Sequence, residues 1–179
     1  MSRFLGKLII TGAVVLVLLC SSQFWFDRFI YPINFETEVL KAEADHKLPR
    51  NLILSVIREE SRFNKDSKSS VGAVGLMQIL PSTAQWIAGQ RGVKYDNNKL
   101  DDPAINIYYG AWYLRYLTNE LKSDTLALEA YNAGIAKVLA WEKENPGVVP
   151  FIETEKFVKR VNESQKKYDQ LYGEKWEKR

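Results

Sequence analysis

Beyond residue 35 this chain has no run of alternating apolar and polar residues long enough to read as a strand, and its apolar positions recur at helical spacing. That pattern restricts the fold class to all-α. It predicts a polar helix over 36–47 and an apolar one over 49–63, followed by a Ser-, Lys- and Gly-rich surface loop over 64–75. Pro81-Ser82-Thr83 opens a helix to about Gly89, and turn residues fill 89–98. Asp101-Asp102-Pro103 is a helix start, an acidic cap with Pro in the first turn; the helix runs to about Leu121. Its stripe is Ile105, Tyr108, Tyr109, Trp112, Tyr113, Leu114 and Leu117. Helices over 124–132 and 135–144 are broken by Gly134, and a last one spans about 152–171. The aromatic residues on these stripes are read as core.

One carboxylate sits against the pattern. In Pro49–Phe63, at roughly 100° per residue, Leu52, Ile53, Leu54, Val56 and Ile57 cover one broad face, and Glu60 projects close to its middle. Glu59 lies nearer the edge of that face and Arg58 points away. An ionised carboxyl on a buried face is costly, so its pKa should rise, which is the condition a general acid needs at neutral pH. A helix-end glutamate reaching back to water or pairing with Arg62 is the plain structural alternative.

The N-terminal region is of another kind. Leu8–Phe26 holds 19 residues without a charge, long enough to cross a hydrocarbon core. Arg3 and Lys7 precede it, while Asp27 and Arg28 cancel, so the amino terminus is expected in the cytoplasm and the rest outside. An uncleaved signal anchor is favoured over a signal peptide cut near Cys20-Ser21-Ser22, and bulky Leu19 argues against a lipidated Cys20. The division expected is an anchor or transmembrane helix over 1–29, a stem over 30–35, a helical domain over 36–172 and a charged tail over 173–179. Cys20 is the only cysteine, so the exported part has no disulfide scaffold. Without Arg3, Lys7, Asp27 and Arg28 the chain carries 22 basic and 21 acidic residues, a balance that gives no case for nucleic-acid binding. His46 stands alone with no Cys/His cluster, so no metal site is expected.

Four ordered blocks then carry a resemblance. Glu60-Ser61-Arg62-Phe63-Asn64 is followed by Ser69, Gly72-Ala73-Val74-Gly75-Leu76-Met77-Gln78 and Pro81-Ser82-Thr83-Ala84. Asn106, Gly110 and Tyr113-Leu114 come next, then Ala130-Tyr131-Asn132-Ala133-Gly134. Over about Glu36 to Val161 the chain resembles the soluble-lytic-transglycosylase-type domain, a lysozyme-like helical fold that cleaves peptidoglycan.

The resemblance implies that Glu60 is the sole acid/base, with glycan strands as partner and no cofactor. Glu60 would protonate the oxygen between N-acetylmuramic acid and N-acetylglucosamine, then deprotonate the muramyl 6-hydroxyl as a 1,6-anhydro ring closes. Glu59 and Asp66 are the nearest second carboxylates, and neither is expected to act. The implied substrate contacts are Ser61, Ser69, Gly75, Leu76, Met77, Gln78, Tyr131 and Asn132. Met77 would form an apolar surface under a sugar ring and Gln78 would bind an acetamido group. Gly72 and Gly75 permit tight turns and a close approach of sugar to backbone. Glu153-Thr154-Glu155-Lys156-Phe157-Val158 departs from the family's Glu-Thr-Arg-x-Tyr-Val: Phe157, behind the acid, lacks a hydroxyl, and Glu155 replaces a basic residue. The rival readings are a hydrolytic muramidase, which would need a fixed water or a second carboxylate, and a non-catalytic wall-binding scaffold, which would have lost Glu60.

Overall fold

The computed structural model describes residues 25–96 and 99–177, in two compact units that divide between Pro32 and Ile33. In the first unit residues 25–30 are helical, and the Tyr31 N–H donates to the Asp27 carbonyl at 2.9 Å. Among the described residues no helix is long and apolar enough to cross a membrane. Most of the expected anchor falls at 1–24, outside them.

Among the described residues the second unit is built from α-helices. In order they are α1 (Glu36–His46), α2 (Arg50–Ser61), α3 (Pro81–Gln90), α4 (Pro103–Leu121), α5 (Asp124–Ala133), α6 (Ile135–Glu144) and α7 (Ile152–Glu177). The starts follow capping chemistry. Asp102 Oδ1 accepts from the Ala104 and Ile105 N–H groups at 2.9 and 3.2 Å with Pro103 next, and Ser123 Oγ accepts from Leu126 N–H at 3.3 Å. Pro49 stands one residue outside α2, in extended conformation, rather than inside its first turn. Arg115 closes the other end of α1, donating to the His46 carbonyl at 2.7 Å and to the Lys47 carbonyl.

The core gathers around α2, whose Ile53, Leu54, Val56 and Ile57 are all buried. Ile107, Leu114 and Leu117 of α4, Ile87 of α3, Val138 of α6 and Tyr168 of α7 join them. Each such side chain contributes about 1.5–3 kcal/mol of burial. α7 packs along α2 and against α5, and α4 packs against α1, α3 and α5.

α7 is longer than the sequence pattern suggested and passes through the 172/173 boundary. Its inner face continues as an aromatic ladder, Tyr168 on Tyr172 (ring centroids 6.1 Å) and Tyr172 on Trp176 (5.8 Å). The Arg50 guanidinium lies 5.6 Å from the Trp176 ring centroid. The segment expected as a loose tail is therefore helical and anchored as far as Trp176, because aromatics at i, i+4 and i+8 share one face.

Candidate active site

Glu60 lies in the last turn of α2, and the chain turns sharply just beyond it. Arg62 and Phe63 both adopt left-handed backbone conformations, φ 51° and 63°, which L-residues with side chains populate at a cost. Buried Phe63 anchors that turn. Burial, first, pushes the Glu60 carboxyl up to about 8; Glu153 and Glu59 push the same way and Arg160 opposes them. No hydrogen bond or ion pair to Glu60 is found among the described residues, and the alternative pairing with Arg62 is not made.

Glu59 departs from its expected place. Its side chain is only 7% exposed and is held by Arg58, by Arg160 Nε at 3.2 Å and by the Ser164 hydroxyl at 2.6 Å. α7 passes beside the end of α2 and supplies partners that a reading of α2 alone does not include. Asp66 is exposed and paired with Lys65 at 2.8 Å.

The segment between α2 and α3 folds on itself. Val74 and Ile79 exchange backbone hydrogen bonds of 3.0 Å, the Gly75 N–H donates to the Ser67 carbonyl at 2.9 Å, and Gln78 is left-handed at φ 48°. Four of the expected substrate contacts turn inward here. Leu76 and Met77 are both 0% exposed, so Met77 is core rather than a surface under a sugar; it packs against Gly110, where an added Cβ would come within 2.4 Å of its sulfur. Ser61 Oγ donates to the Leu76 carbonyl at 2.8 Å and lies 3.1 Å from the Ile57 carbonyl, tying the end of α2 to this segment. Gly75, φ 81°, makes room for Asn106 rather than for a ligand: a Cβ there would sit 2.4 Å from Asn106 Nδ2.

Two further expected contacts serve the loop as well. Ser69 closes its own turn, its Oγ accepting from the Ala73 N–H at 3.0 Å. Gln78 Nε2 donates to the Gly75 and Ser67 carbonyls at 2.8 and 3.2 Å. Its Oε1 has no partner among the described residues and remains an acceptor.

Asn106 organises all of this, although in the sequence it stands only as a member of one block. It is fully buried. Oδ1 accepts from the Met77 N–H at 2.7 Å, and Nδ2 donates to the Val74 and Leu100 carbonyls, both at 2.8 Å. A buried amide with donors and acceptor all used is a structural clamp.

Tyr131 and Asn132, at the end of α5, are set by Gly134, φ 93°, which stops the helix. The Tyr131 hydroxyl donates to the Met77 carbonyl at 2.8 Å. Burial, then the nearby charge of Glu60, raises its pKa well above the ordinary phenol value. Asn132 Oδ1 accepts from the Thr154 hydroxyl at 2.8 Å, and its amide nitrogen has no partner among the described residues. Phe157 is buried on the inner face of α7 and has no hydroxyl to give.

Of two cavities, one is lined by Asn132 and Thr154 and the other by Tyr113, whose ring lies against Tyr131. The first, about 350 Å³, is lined by Asn132, Lys137, Phe151, Glu153 and Thr154. The other, about 370 Å³, is lined by Ser82, Thr83, Trp86, Tyr113, Tyr116 and Ile135. Its wall is an aromatic panel: Trp86 on Tyr116 edge-on at 4.9 Å, Tyr113 stacked with Tyr116 at 6.5 Å, and Tyr113 against Tyr131 at 5.7 Å. These rings were expected to be core. Trp86 is 37% exposed, and the panel leads from open surface to the Tyr131 hydroxyl.

The chain is similar in sequence and fold to known proteins. The family model described as "Transglycosylase SLT domain" matches residues 38–148. The soluble lytic murein transglycosylase of Escherichia coli K12 is 30% identical over 157 residues, which cover 81% of this chain and 24% of that protein. Membrane-bound lytic murein transglycosylase C of Actinobacillus succinogenes is 32% identical over 129 residues, covering 64% of this chain and 35% of that protein. The crystal structure of the 70 kDa soluble lytic transglycosylase of Escherichia coli superposes with a TM-score of 0.75 at 27% identity, over 85% of this chain and 29% of that one. The chain thus spans about a quarter of the length of its soluble relative.

Proposed function

The chain belongs to the transglycosylase SLT domain family, and from that footing we propose that it cleaves peptidoglycan as a lytic transglycosylase with Glu60 as its only acid/base. The observation that carries the reading is a carboxyl that burial pushes up to about 8, close enough to Tyr131 for its charge to act on that hydroxyl. Glu60 gives its proton to the glycosidic oxygen as the bond from that oxygen to the muramyl anomeric carbon breaks, and the glucosamine departs as an alcohol. The 2-acetamido oxygen stabilises the cationic anomeric carbon. The Glu60 carboxylate then takes the proton of the muramyl 6-hydroxyl, whose oxygen bonds to that carbon and closes the 1,6-anhydro ring. Glu60 ends protonated and no water is consumed.

The free Gln78 Oε1 and Asn132 amide nitrogen suit the N–H and C=O of acetamido groups, and the Trp86–Tyr113–Tyr116 panel suits the apolar faces of sugar rings. Ser61, Ser69, Gly75, Leu76 and Met77 act through the shape of the loop. We further propose that residues 8–26 anchor the chain in a membrane, with the catalytic unit on the wall-facing side, in keeping with the charge-free run and with the membrane-bound relative.

One observation favours a second reading. Glu153 lines the 350 Å³ cavity and its charge acts on Glu60, so it could hold a water for hydrolysis. Mass spectrometry of fragments released from purified peptidoglycan by the full chain in detergent separates the two. Anhydro ends, lighter by one water, are expected from wild type, with none from Glu60→Gln. Reducing ends that disappear in Glu153→Gln would make the protein a muramidase. A folded protein that sediments with the wall and releases nothing would be a binding module.

A further inference from the structure

Glu59 is next to the acid yet is engaged by a different part of the molecule. One of its oxygens takes the Ser164 hydroxyl at 2.6 Å together with Arg58; the other takes Arg160 Nε at 3.2 Å. The two members of the Arg160 pair differ in freedom. Glu59 is 7% exposed and locked on both oxygens, whereas the Arg160 side chain is 48% exposed. The terminal guanidinium nitrogens of Arg160 make no hydrogen bond among the described residues, so only the Nε contact fixes the head group. The Arg160 charge already acts on Glu60, the neighbour of Glu59 on α2, so a released guanidinium starts within the field of that carboxyl.

We infer that Glu59 is a positioning residue that holds Arg160 against α7 and so keeps the guanidinium from closing a salt bridge onto Glu60. The inference rests on Glu60 being the acid/base of the proposed reaction. A direct pair with arginine would ionise Glu60 and remove the proton it must donate. The groups facing Glu60 are Glu59 from its own helix, Arg160 and Glu153 from α7 and Tyr131 from α5. Arg160 is the one cation in that set, so its placement sets how far the effect of burial on the carboxyl is opposed. The pairing also gives a reason for the two adjacent glutamates at the end of α2: one delivers the proton, the other detains the cation that would discharge it.

The test is the titration of the Glu60 side-chain carboxyl, followed by carbon NMR in the full chain in detergent, beside the pH profile of fragment release. Glu59→Gln should move both downward by about 1–3 pH units, the range an opposite charge at contact produces. Glu59→Asp keeps the charge but retracts it by one methylene; it should move them down as well. Arg160→Gln should move both up, and in that background Glu59→Gln should lower them much less, by the loss of its own neighbouring charge alone. Equal downward shifts with and without Arg160 would mean that Glu59 acts only as a neighbouring negative charge, and the proposal would be wrong. It would be equally wrong if Glu59→Asp left Glu60 unmoved while Glu59→Gln lowered it. Arg160 is half-exposed and Gln matches Glu in shape, so amide spectra should report folded variants. The titration needs no turnover: absence of any cleavage by wild type would overturn the function proposed above and leave this inference to be decided by NMR alone.

Discussion

A carboxyl that keeps its proton to about pH 8 in the folded chain and to about 4.5 outside it makes folding pH-dependent. Between those values the folded form binds more protons than the unfolded one, so stability falls as pH rises and the loss is complete above about 8. Glu60→Gln removes the ionisation. Its unfolding midpoint in urea should match wild type at pH 4 and exceed it at pH 9, by on the order of 2 kcal/mol once the partial access of water is allowed for. Equal midpoints at both pH values would mean that the carboxyl is not buried. The burial of Glu60 was legible because five apolar residues on α2 define the face it shares. The inward turn of Met77 was not, because direction in that segment is set by left-handed residues, Gln78 among them, and no periodicity reports those.

The segment between α2 and α3 owes its shape to α4, through the three hydrogen bonds of Asn106. Asn106→Leu would leave the Met77 N–H and the Leu100 carbonyl unpaired in the interior and take one of two donors from the Val74 carbonyl, which keeps the Ile79 N–H, and should destabilise by about 2 kcal/mol or more, at 1–3 per buried group. Gly75→Ala presses a methyl onto the same amide at an unfavourable φ, and should cost about 2 kcal/mol. Both are read from urea midpoints. Fragment release should fall with them even where the protein remains folded, because Tyr131 is bonded to the Met77 carbonyl. An Asn106→Leu protein as stable and active as wild type would remove the clamp from the account. The helix starts were open to sequence reading because capping is local, as at Asp102 and Ser123. The far end of α7 was hidden by alternating charges, although Tyr168, Tyr172 and Trp176 already marked a single face.

At the scale of the whole chain, the proposed anchor and the helical unit would face different solvents. If residues 8–26 hold the protein in a bilayer, the intact chain should stay in the membrane fraction through an alkaline carbonate wash, and a chain beginning at Ile33 should be released. Release of both would disprove the anchor. The helical unit from Ile33 onward carries no cysteine, so its folding should not respond to reductant. The fold was legible as all-α from spacing alone, whereas the aromatic panel was not, since a ring on an apolar stripe looks the same whether another helix or a cavity faces it. The packing of α7 along α2 also has a meaning in the order of synthesis. The ribosome completes Glu60 well before Glu153, Arg160 and Ser164 and the helix that packs along α2. A nascent chain halted near residue 150 would display the whole motif and still hold an ordinary, water-exposed glutamate. The tuning of the proposed acid thus waits until α7 has been made and has packed along α2.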